Sequence, residues 1–140
     1  MVRSCPACHT GNRIPARYLA RTGRCGSCKS PLPPQSEPID VDETDFNQIV
    51  QEAAVPVLVD FWASWCGPCL AAAPEVHTLA AEMAGKAIFL KVNTEENPGL
   101  SSRYGIQSIP NFIVFRDGKL VQQRAGFGGR AELRRWLTAA

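Results

Sequence analysis

Six cysteines carry the clearest chemistry in this sequence of 140 residues, and all six fall in Cys-x-x-Cys pairs: Cys5/Cys8, Cys25/Cys28 and Cys66/Cys69. This spacing serves two kinds of chemistry, because such pairs either ligate a metal or exchange with disulfides. The sequence shows neither a secretory signal nor an apolar run of about 18 residues that could span a membrane. We therefore expect a cytoplasmic protein, in which structural disulfides are uncommon.

The two N-terminal cysteine pairs have the spacing of a metal site. Sixteen residues separate Cys8 from Cys25, and two such pairs can close a tetrahedron of thiolates around one Zn²⁺ ion. Residues 1–30 hold few large apolar side chains, so bound metal would supply folding free energy. We predict one structural zinc ion with four ligands, Cys5, Cys8, Cys25 and Cys28. The spacing also permits two disulfides, a second redox pair, or His9 in place of one thiolate.

Charge is distributed unevenly along the chain. Residues 1–36 hold six basic residues and no acid, whereas the remainder holds nine basic and thirteen acidic residues, which leaves a net charge of +2. A zinc ion with four thiolates carries −2 and would neutralise part of the basic charge. Tyr18 is the one aromatic residue among these arginines. We therefore expect a solvated basic face and not a nucleic-acid site.

A proline-rich stretch divides the chain. Residues 31–38 contain four prolines, which remove backbone donors and favour an extended conformation. We interpret them as a linker between a zinc module at residues 1–30 and an independent domain at residues 39–140.

Beyond the linker, segments with helical periodicity alternate with short buried runs. Helices are predicted over residues 42–53, 66–83, 98–104 and 133–140, with Pro74 kinking the second. Strands are predicted over residues 55–61, 87–92, 112–115 and 120–125, the last two joined by a turn at Asp117-Gly118. This alternation, ending in a hairpin and a helix, indicates an α/β fold with a central sheet of mixed direction.

The third cysteine pair lies between a buried strand and a helix. Cys66 begins the helix, where free backbone N–H groups and the helix dipole favour a thiolate that could attack a substrate disulfide. Cys69, nearly one turn further, could attack the resulting mixed disulfide and release the reduced product. Pro68 suits the first helical turn and stiffens the motif.

Two charged residues interrupt the buried strands. Asp60 lies in an apolar run where burial should raise its pKa, and it could accept the proton of Cys69. Lys91 occupies the matching position of the next buried strand, so we expect the two to face each other beneath the helix. The other interpretations are that Asp60 turns to water at a strand end and that Lys91 reaches solvent along its apolar stem.

Residues 57–69, Val-Leu-Val-Asp-Phe-Trp-Ala-Ser-Trp-Cys-Gly-Pro-Cys, closely resemble the active-site segment of thioredoxins. The resemblance covers residues 39–140 and continues through Pro74, Lys91-Val-Asn93, Asn97-Pro98, Tyr104-Gly-Ile106, Ile109-Pro110, Asp117-Gly118 and Gly126. It implies the thioredoxin fold, a cis Ile109–Pro110 bond against the cysteines, and an apolar substrate-docking surface made of Trp65, Gly67, Pro68, Ile109, Pro110 and Gly126.

The resemblance also implies partners. The electron donor would be an NADPH-dependent flavoprotein, thioredoxin reductase, and the substrates would be disulfide-containing client proteins, with no organic cofactor bound and a monomeric chain. Residues 3–32, in which Asn12-Arg-Ile-Pro15 follows the first cysteine pair, resemble the zinc-ribbon-like module of zinc-bearing bacterial thioredoxins.

Three residues depart from the usual thioredoxin pattern. Leu70 stands where a basic residue usually follows the motif, Asn111 where threonine follows the cis-proline, and Phe127 where a small residue is common. We expect Leu70 and Phe127 to enlarge the apolar contact surface.

The sequence therefore predicts a protein-disulfide reductase. The alternative is a redox-switched chaperone or binding module, in which oxidation of four exposed thiolates releases the zinc ion. A third hypothesis is nucleic-acid binding through the zinc module, which would be sensitive to salt.

Overall fold

A five-stranded sheet between two helical layers, preceded by two short hairpins, forms the architecture of residues 1–139, which the computed structural model describes. The N-terminal part contains β1 (Val2–Ser4), β2 (Gly11–Arg13), a short 3₁₀ helix (Ala16–Tyr18), β3 (Gly23–Arg24) and β4 (Pro31–Leu32). The remainder contains β5 (Ile39–Asp40), α1 (Glu43–Glu52), β6 (Val57–Trp62), α2 (Gly67–Glu82), β7 (Ile88–Asn93), α3 (Pro98–Arg103), β8 (Asn111–Arg116), β9 (Lys119–Ala125) and α4 (Arg130–Thr138).

The sheet has the strand order β5-β7-β6-β8-β9, with β6 in the centre. Strand β6 runs parallel to β7 and antiparallel to β8, so the predicted mixed direction is confirmed. Residues 57–61 of β6 are all buried, because helices cover both faces of the sheet. The predicted elements are all present, although Ala140, the last residue of the predicted C-terminal helix, lies outside the described residues.

Two apolar cores lie on opposite faces of the sheet. Helices α1 and α3 pack on one face with Val57, Val59 and Phe61 of β6, whereas α2 and α4 pack on the other with Leu58. Because side chains alternate along a strand, Asp60 points to the same face as Leu58, beneath α2. Asp60, the one carboxylate residue of the central strand, therefore lies beneath the helix that begins at the cysteine pair.

Local sequence signals position the helix starts and the hairpin. Asp42 caps α1, since its carboxylate accepts a hydrogen bond from the backbone N–H of Asp45 at 2.8 Å. Asp117 and Gly118 both adopt positive φ, 51° and 79°, in the turn between β8 and β9. A two-residue turn of this kind matches the twist of the flanking strands, as the Asp-Gly signal predicts.

The N-terminal hairpins are attached to the larger core. Ala16 and Leu19, at the 3₁₀ helix, are buried in the apolar core on the α1 side of the sheet. Pro31 and Leu32 pair with β3, so strand pairing extends two residues past the predicted start of the linker. No helix within residues 1–139 has the length and apolar composition needed to cross a bilayer.

Candidate active site and metal centre

Cys66 and Cys69 lie where β6 leads into α2, and a disulfide joins them with their Cα atoms 5.3 Å apart. Cys66 is the N-cap of α2, and the backbone N–H of Cys69 donates to its sulfur at 3.2 Å. Pro68 occupies the first helical turn, where its missing N–H costs no intrahelical hydrogen bond. This donor and the positive end of the helix dipole both stabilise negative charge on the Cys66 sulfur.

The loop before β8 lies against the cysteine pair. The Ile109–Pro110 bond is cis, as the resemblance implied. The carbonyl oxygen of Ile109 is 3.7 Å from the Cys66 sulfur, and the Ile109 side chain packs against a small buried cluster that contains both cysteines. The backbone N–H of Gly126 donates to the Pro110 carbonyl at 2.7 Å.

The surface around the cysteines is apolar and uneven. Trp65 is 67% exposed and Leu70 is 53% exposed, with Gly67 and Pro68 exposed between them. Phe127 is instead half-buried, with its ring centroid 5.9 Å from that of Phe112 in the core on the α2 side. The prediction of an enlarged contact surface therefore applies to Leu70, whereas Phe127 packs largely inward.

Asp60 is buried beside a cavity of about 230 Å³, and its Oδ1 atom has no hydrogen-bond partner among the described residues. Burial raises the pKa of this carboxyl to about 7, although the positive charge of Lys91 acts in the opposite direction. The cavity is also lined by Asp40 and His77, and it has room for several water molecules. The predicted burial of Asp60 is confirmed, and the interpretation that it turns to water at a strand end is wrong.

Lys91 is opposite Asp60 in the parallel pairing of β6 with β7, and both residues line this cavity. The expectation that they face each other beneath α2 is therefore confirmed. The Lys91 ammonium lies 4.2 Å from the centroid of the Trp62 ring, a cation–π contact. The buried indole nitrogen of Trp62 has no hydrogen-bond partner within residues 1–139.

The other four cysteines form a separate cluster, in which all four sulfurs lie within 4.8 Å of one another. The sulfurs of Cys5 and Cys28 are 3.6 Å apart, and so are those of Cys8 and Cys25. Sulfurs bound tetrahedrally to one ion at about 2.3 Å would be about 3.8 Å apart, so this donor set fits a four-thiolate metal site.

Both pairs of this cluster have the same local geometry. His9 and Lys29, each directly after the second cysteine, adopt positive φ of 64° and 65°. Their backbone N–H groups donate to the carbonyls of Cys5 and Cys25 at 2.9 and 3.0 Å. His9 is thus a turn residue outside the ligand cluster, and the alternative in which it replaces a thiolate is not supported.

Backbone donors also surround the sulfurs of the cluster. Hydrogen bonds from the backbone at Cys28, from the Asn12 side chain and from the Ser27 N–H lower the pKa of Cys25 to about 6, which favours the thiolate form. Cys5 and Cys25 are fully buried. The redox-switch alternative assumed four exposed thiolates, and this premise is wrong for these two.

Sequence comparisons agree with both sites. The family described as "Thioredoxin" matches residues 37–139, and the family described as "Thioredoxin 2, N-terminal" matches residues 4–30. Thioredoxin C-3 of Corynebacterium nephridii is 36% identical over 137 residues, which are 98% of this chain and 93% of the relative. The chain belongs to the thioredoxin family.

Other thioredoxins resemble this chain over the larger domain. Thioredoxin 1 of Synechococcus elongatus is 48% identical over 86 residues, which are 61% of this chain and 80% of the relative. The structure of a mutant thioredoxin from Halobacterium salinarum superposes with a TM-score of 0.68 at 33% identity, covering 74% of this chain and 89% of that one. The thioredoxin fold and the thiol–disulfide oxidoreductase activity predicted from the sequence are confirmed.

Several contacts around the thioredoxin site were missed by the sequence reasoning. The Trp65 indole N–H donates to the Glu95 carboxylate, thirty residues away. Asn111 is buried and accepts from the Gln123 side chain at 3.2 Å across the β8–β9 pair. Asn111 stood out as a departure from the family pattern, but Glu95 follows a strand among other polar residues and gives no comparable signal.

Proposed function

We propose that Cys66 is the nucleophile and Cys69 the resolving thiol of this thiol–disulfide oxidoreductase. The observation that carries the assignment is the hydrogen bond from the Cys69 N–H to the Cys66 sulfur, at a helix N-terminus. In reduced protein the same donor and the helix dipole would hold the Cys66 thiolate. Cys69 lies within the helix, one turn behind it.

The reaction consists of two exchanges. The Cys66 thiolate attacks one sulfur of a client disulfide, whose bond breaks to release a thiolate and leave a mixed disulfide. Cys69 then loses its proton and attacks the Cys66 sulfur, which forms the intramolecular disulfide and releases the second client thiolate. The client gains two electrons, its two released thiolates take up protons from solvent, and thioredoxin reductase restores the dithiol with electrons from NADPH.

Asp60 is the group that receives the Cys69 proton. It lies beneath α2, its carboxyl pKa of about 7 suits proton exchange near neutral pH, and its unpaired oxygen lies beside a cavity that can hold water. Lys91, on the opposite strand, stabilises the ionised carboxylate.

Client proteins dock on the surface around the cysteine pair. Trp65, Gly67 and Pro68 supply its exposed turn, and Ile109, Pro110 and Gly126 supply the opposite side. An extended client segment beside Pro110 could pair with the neighbouring backbone. The protein would act as a monomer in the cytoplasm.

The four-cysteine cluster holds a structural Zn²⁺ ion. Cys5, Cys8, Cys25 and Cys28 offer four thiolates within 4.8 Å of one another, and the ion would fold the core-poor residues 1–30. Residues 39–140 would form the redox domain, with the proline-rich residues of 31–38 connecting the two.

Insulin reduction by dithiothreitol tests the assignment, with Cys66→Ser as the decisive variant and Cys8→Ser as the matched control. Cys66→Ser should lose at least about a thousandfold in rate with its circular dichroism unchanged, because the nucleophile is gone. Cys8→Ser should lose metal while its dithiol still reacts. Cys69→Ser should accumulate a mixed disulfide, visible by mass spectrometry. Undiminished turnover by Cys66→Ser would disprove the role of Cys66.

A further inference from the structure

Another concave surface lies in the N-terminal module. None of the six cysteines lines it, although its residues Ile14 and Leu32 pack against Cys5 and Cys25. It is a cavity of about 220 Å³, which we call the basic cavity, and its lining includes Arg3, Ile14, Tyr18, Arg21, Arg24 and Leu32. Leu32 is buried at its base and Ile14 is half-buried, so the floor is apolar. The volume suits one aliphatic or aromatic side chain.

Three guanidinium groups border this apolar floor. The Arg3 side chain donates to the Pro33 carbonyl at 2.7 Å, and that of Arg24 donates to the Lys29 carbonyl at 3.3 Å. The Arg21 guanidinium stacks on Tyr18, 5.2 Å from the ring centroid. Each group therefore has a defined position and retains further N–H donors.

The Glu37 carboxylate acts electrostatically on Arg3, but it makes no ion pair with any of these three arginines. Residues 1–36 contain no acid, and among residues 1–139 none of the ion pairs within 4.0 Å involves Arg3, Arg21 or Arg24. The neighbouring Arg17, by contrast, reaches Glu52 of α1 at 3.9 Å. Most of the positive charge around the cavity is thus left for a ligand from outside the chain.

We propose that the basic cavity docks an acidic segment of a partner protein, with one apolar side chain in the cavity and flanking carboxylates on the guanidinium groups. Guanidinium groups match carboxylates in geometry and charge, and the apolar floor supplies the anchor. Nucleic acid fits less well, because the arginines surround one apolar recess and do not form a stripe with several stacking rings.

The basic cavity and the redox site can bind at the same time. The 3₁₀ helix packs on the α1 side of the sheet, whereas the cysteine pair begins α2, which packs on the opposite side. A partner held at the basic cavity therefore leaves the cysteines accessible. Such a partner would present its disulfide at a raised effective concentration.

Fluorescence anisotropy with the metal-loaded full chain tests the proposal. The probe is a labelled octapeptide, Glu-Glu-Glu-Leu-Phe-Glu-Glu-Glu, with two controls in which glutamine replaces every glutamate or alanine replaces Leu-Phe. At low ionic strength the probe should bind saturably, and both controls should bind at least about fivefold more weakly. Saturating probe should leave insulin reduction unchanged, which separates this site from the redox site.

Matched arginine variants locate the binding. Arg21→Gln removes a guanidinium that makes no hydrogen bond or ion pair among the described residues, and it should weaken the probe about fivefold. Arg13→Gln, an equal charge change outside the cavity lining, should leave affinity within about twofold. Metal content and circular dichroism confirm that each variant is folded.

Three outcomes would overturn the proposal. Equal weakening by Arg13→Gln and Arg21→Gln would show attraction by diffuse charge, and equal binding of the alanine control would remove the apolar anchor. Tighter binding of oligothymidylate than of the acidic probe would assign the surface to nucleic acid. Failure of any of these tests leaves the assignment of Cys66 and Cys69 untouched, because the basic cavity contains neither residue.

Discussion

Cys-x-x-Cys pairs with the same spacing adopt two different backbone conformations in this molecule. The two conformations differ at the residue that follows the second cysteine. In the N-terminal module, His9 and Lys29 take positive φ and turn the chain back, which leaves the sulfurs of both pairs facing one another. In the redox domain, Leu70 follows Cys69 and continues α2. A reversing turn gathers sulfurs around a common centre, whereas a helix places one sulfur at its N-terminus, where a thiolate is stabilised.

The two regions also differ in what holds them together. The redox domain has apolar cores on both faces of a five-stranded sheet. The N-terminal module has one small cluster of its own, in which Ile14 packs against Cys5, Cys25 and Leu32. Two of its three buried members are cysteines, so the proposed metal and the core of the neighbouring domain would supply most of its stability.

Removal of the metal should produce the largest difference in stability between the N-terminal module and the redox domain. Structural zinc in small modules contributes on the order of 10 kcal/mol at neutral pH, so a chelator should unfold the module around Cys5 and Cys25 while the sheet persists. Amide NMR signals of residues 1–32 should collapse to random-coil shifts, and those of β6 to β8 should remain. A thiol reagent should then react with the four cluster cysteines, because unfolding of the module exposes them. Unchanged signals in the module would mean that metal does not hold it.

The next effect concerns the attachment of the module to the larger core. Leu19→Ala should lower the free energy of unfolding by about 3 kcal/mol, because Leu19 is fully buried in the core on the α1 side. Val2→Ala, on an exposed strand of the same module, should change it by less than about 0.5 kcal/mol. Denaturant unfolding followed by tryptophan fluorescence measures both. If Leu19→Ala lowered the free energy of unfolding no more than Val2→Ala does, the two regions would be energetically independent.

The pH dependence of stability tests the buried carboxyl of the redox domain. The pKa of Asp60 is raised to about 7 in the folded protein. Between about pH 4 and 7 this carboxyl is therefore ionised in the unfolded chain but still protonated in the folded protein. The free energy of unfolding therefore falls as pH rises through this window. Asp60→Asn should raise the free energy of unfolding by about 2 kcal/mol at pH 8 and by less at pH 5. The gain at pH 8 is limited because the buried amide has a desolvation cost of its own.

Asp40→Asn is the matched control for this measurement. Asp40 lines the same cavity from the edge strand but is exposed, so its substitution relieves no burial of charge and should not reproduce the gain of Asp60→Asn. Denaturant unfolding of the oxidised proteins at the two pH values gives the comparison. A gain for Asp60→Asn that is independent of pH would contradict the raised pKa.

The smallest effect concerns the left-handed residue that follows each cysteine pair of the N-terminal module. Lys29→Gly should stabilise the metal-loaded module by about 1 kcal/mol, because glycine adopts the φ of 65° without the clash that a side chain incurs. Gly26→Ala serves as a control at a position without positive φ and with space for a methyl group. Resistance to chelator measures both, and a loss of resistance in Lys29→Gly would refute the argument from backbone conformation.

Much of the redox site could be predicted because its signals are local. The alternation of apolar runs placed the strand that carries Asp60, and the position of Cys66 between a strand and a helix indicated the stabilised sulfur. The contact of Trp65 with Glu95 could not be predicted, since it joins residues thirty positions apart on different loops. The burial of Phe127 was also missed, because an aromatic residue after a strand packs inward or outward according to the helix opposite it.

The sequence by itself determined the grouping of the cysteines into two sets, the order of helices and strands and the burial of Asp60, because spacing, periodicity and apolar runs act over a few residues. Only the tertiary structure decided that Leu19 packs into the core of the redox domain and that three arginines without ion pairs among the described residues surround one apolar recess. These outcomes depend on which surfaces meet when distant segments pack together. No local pattern encodes that choice, because it minimises exposed apolar area over the whole chain.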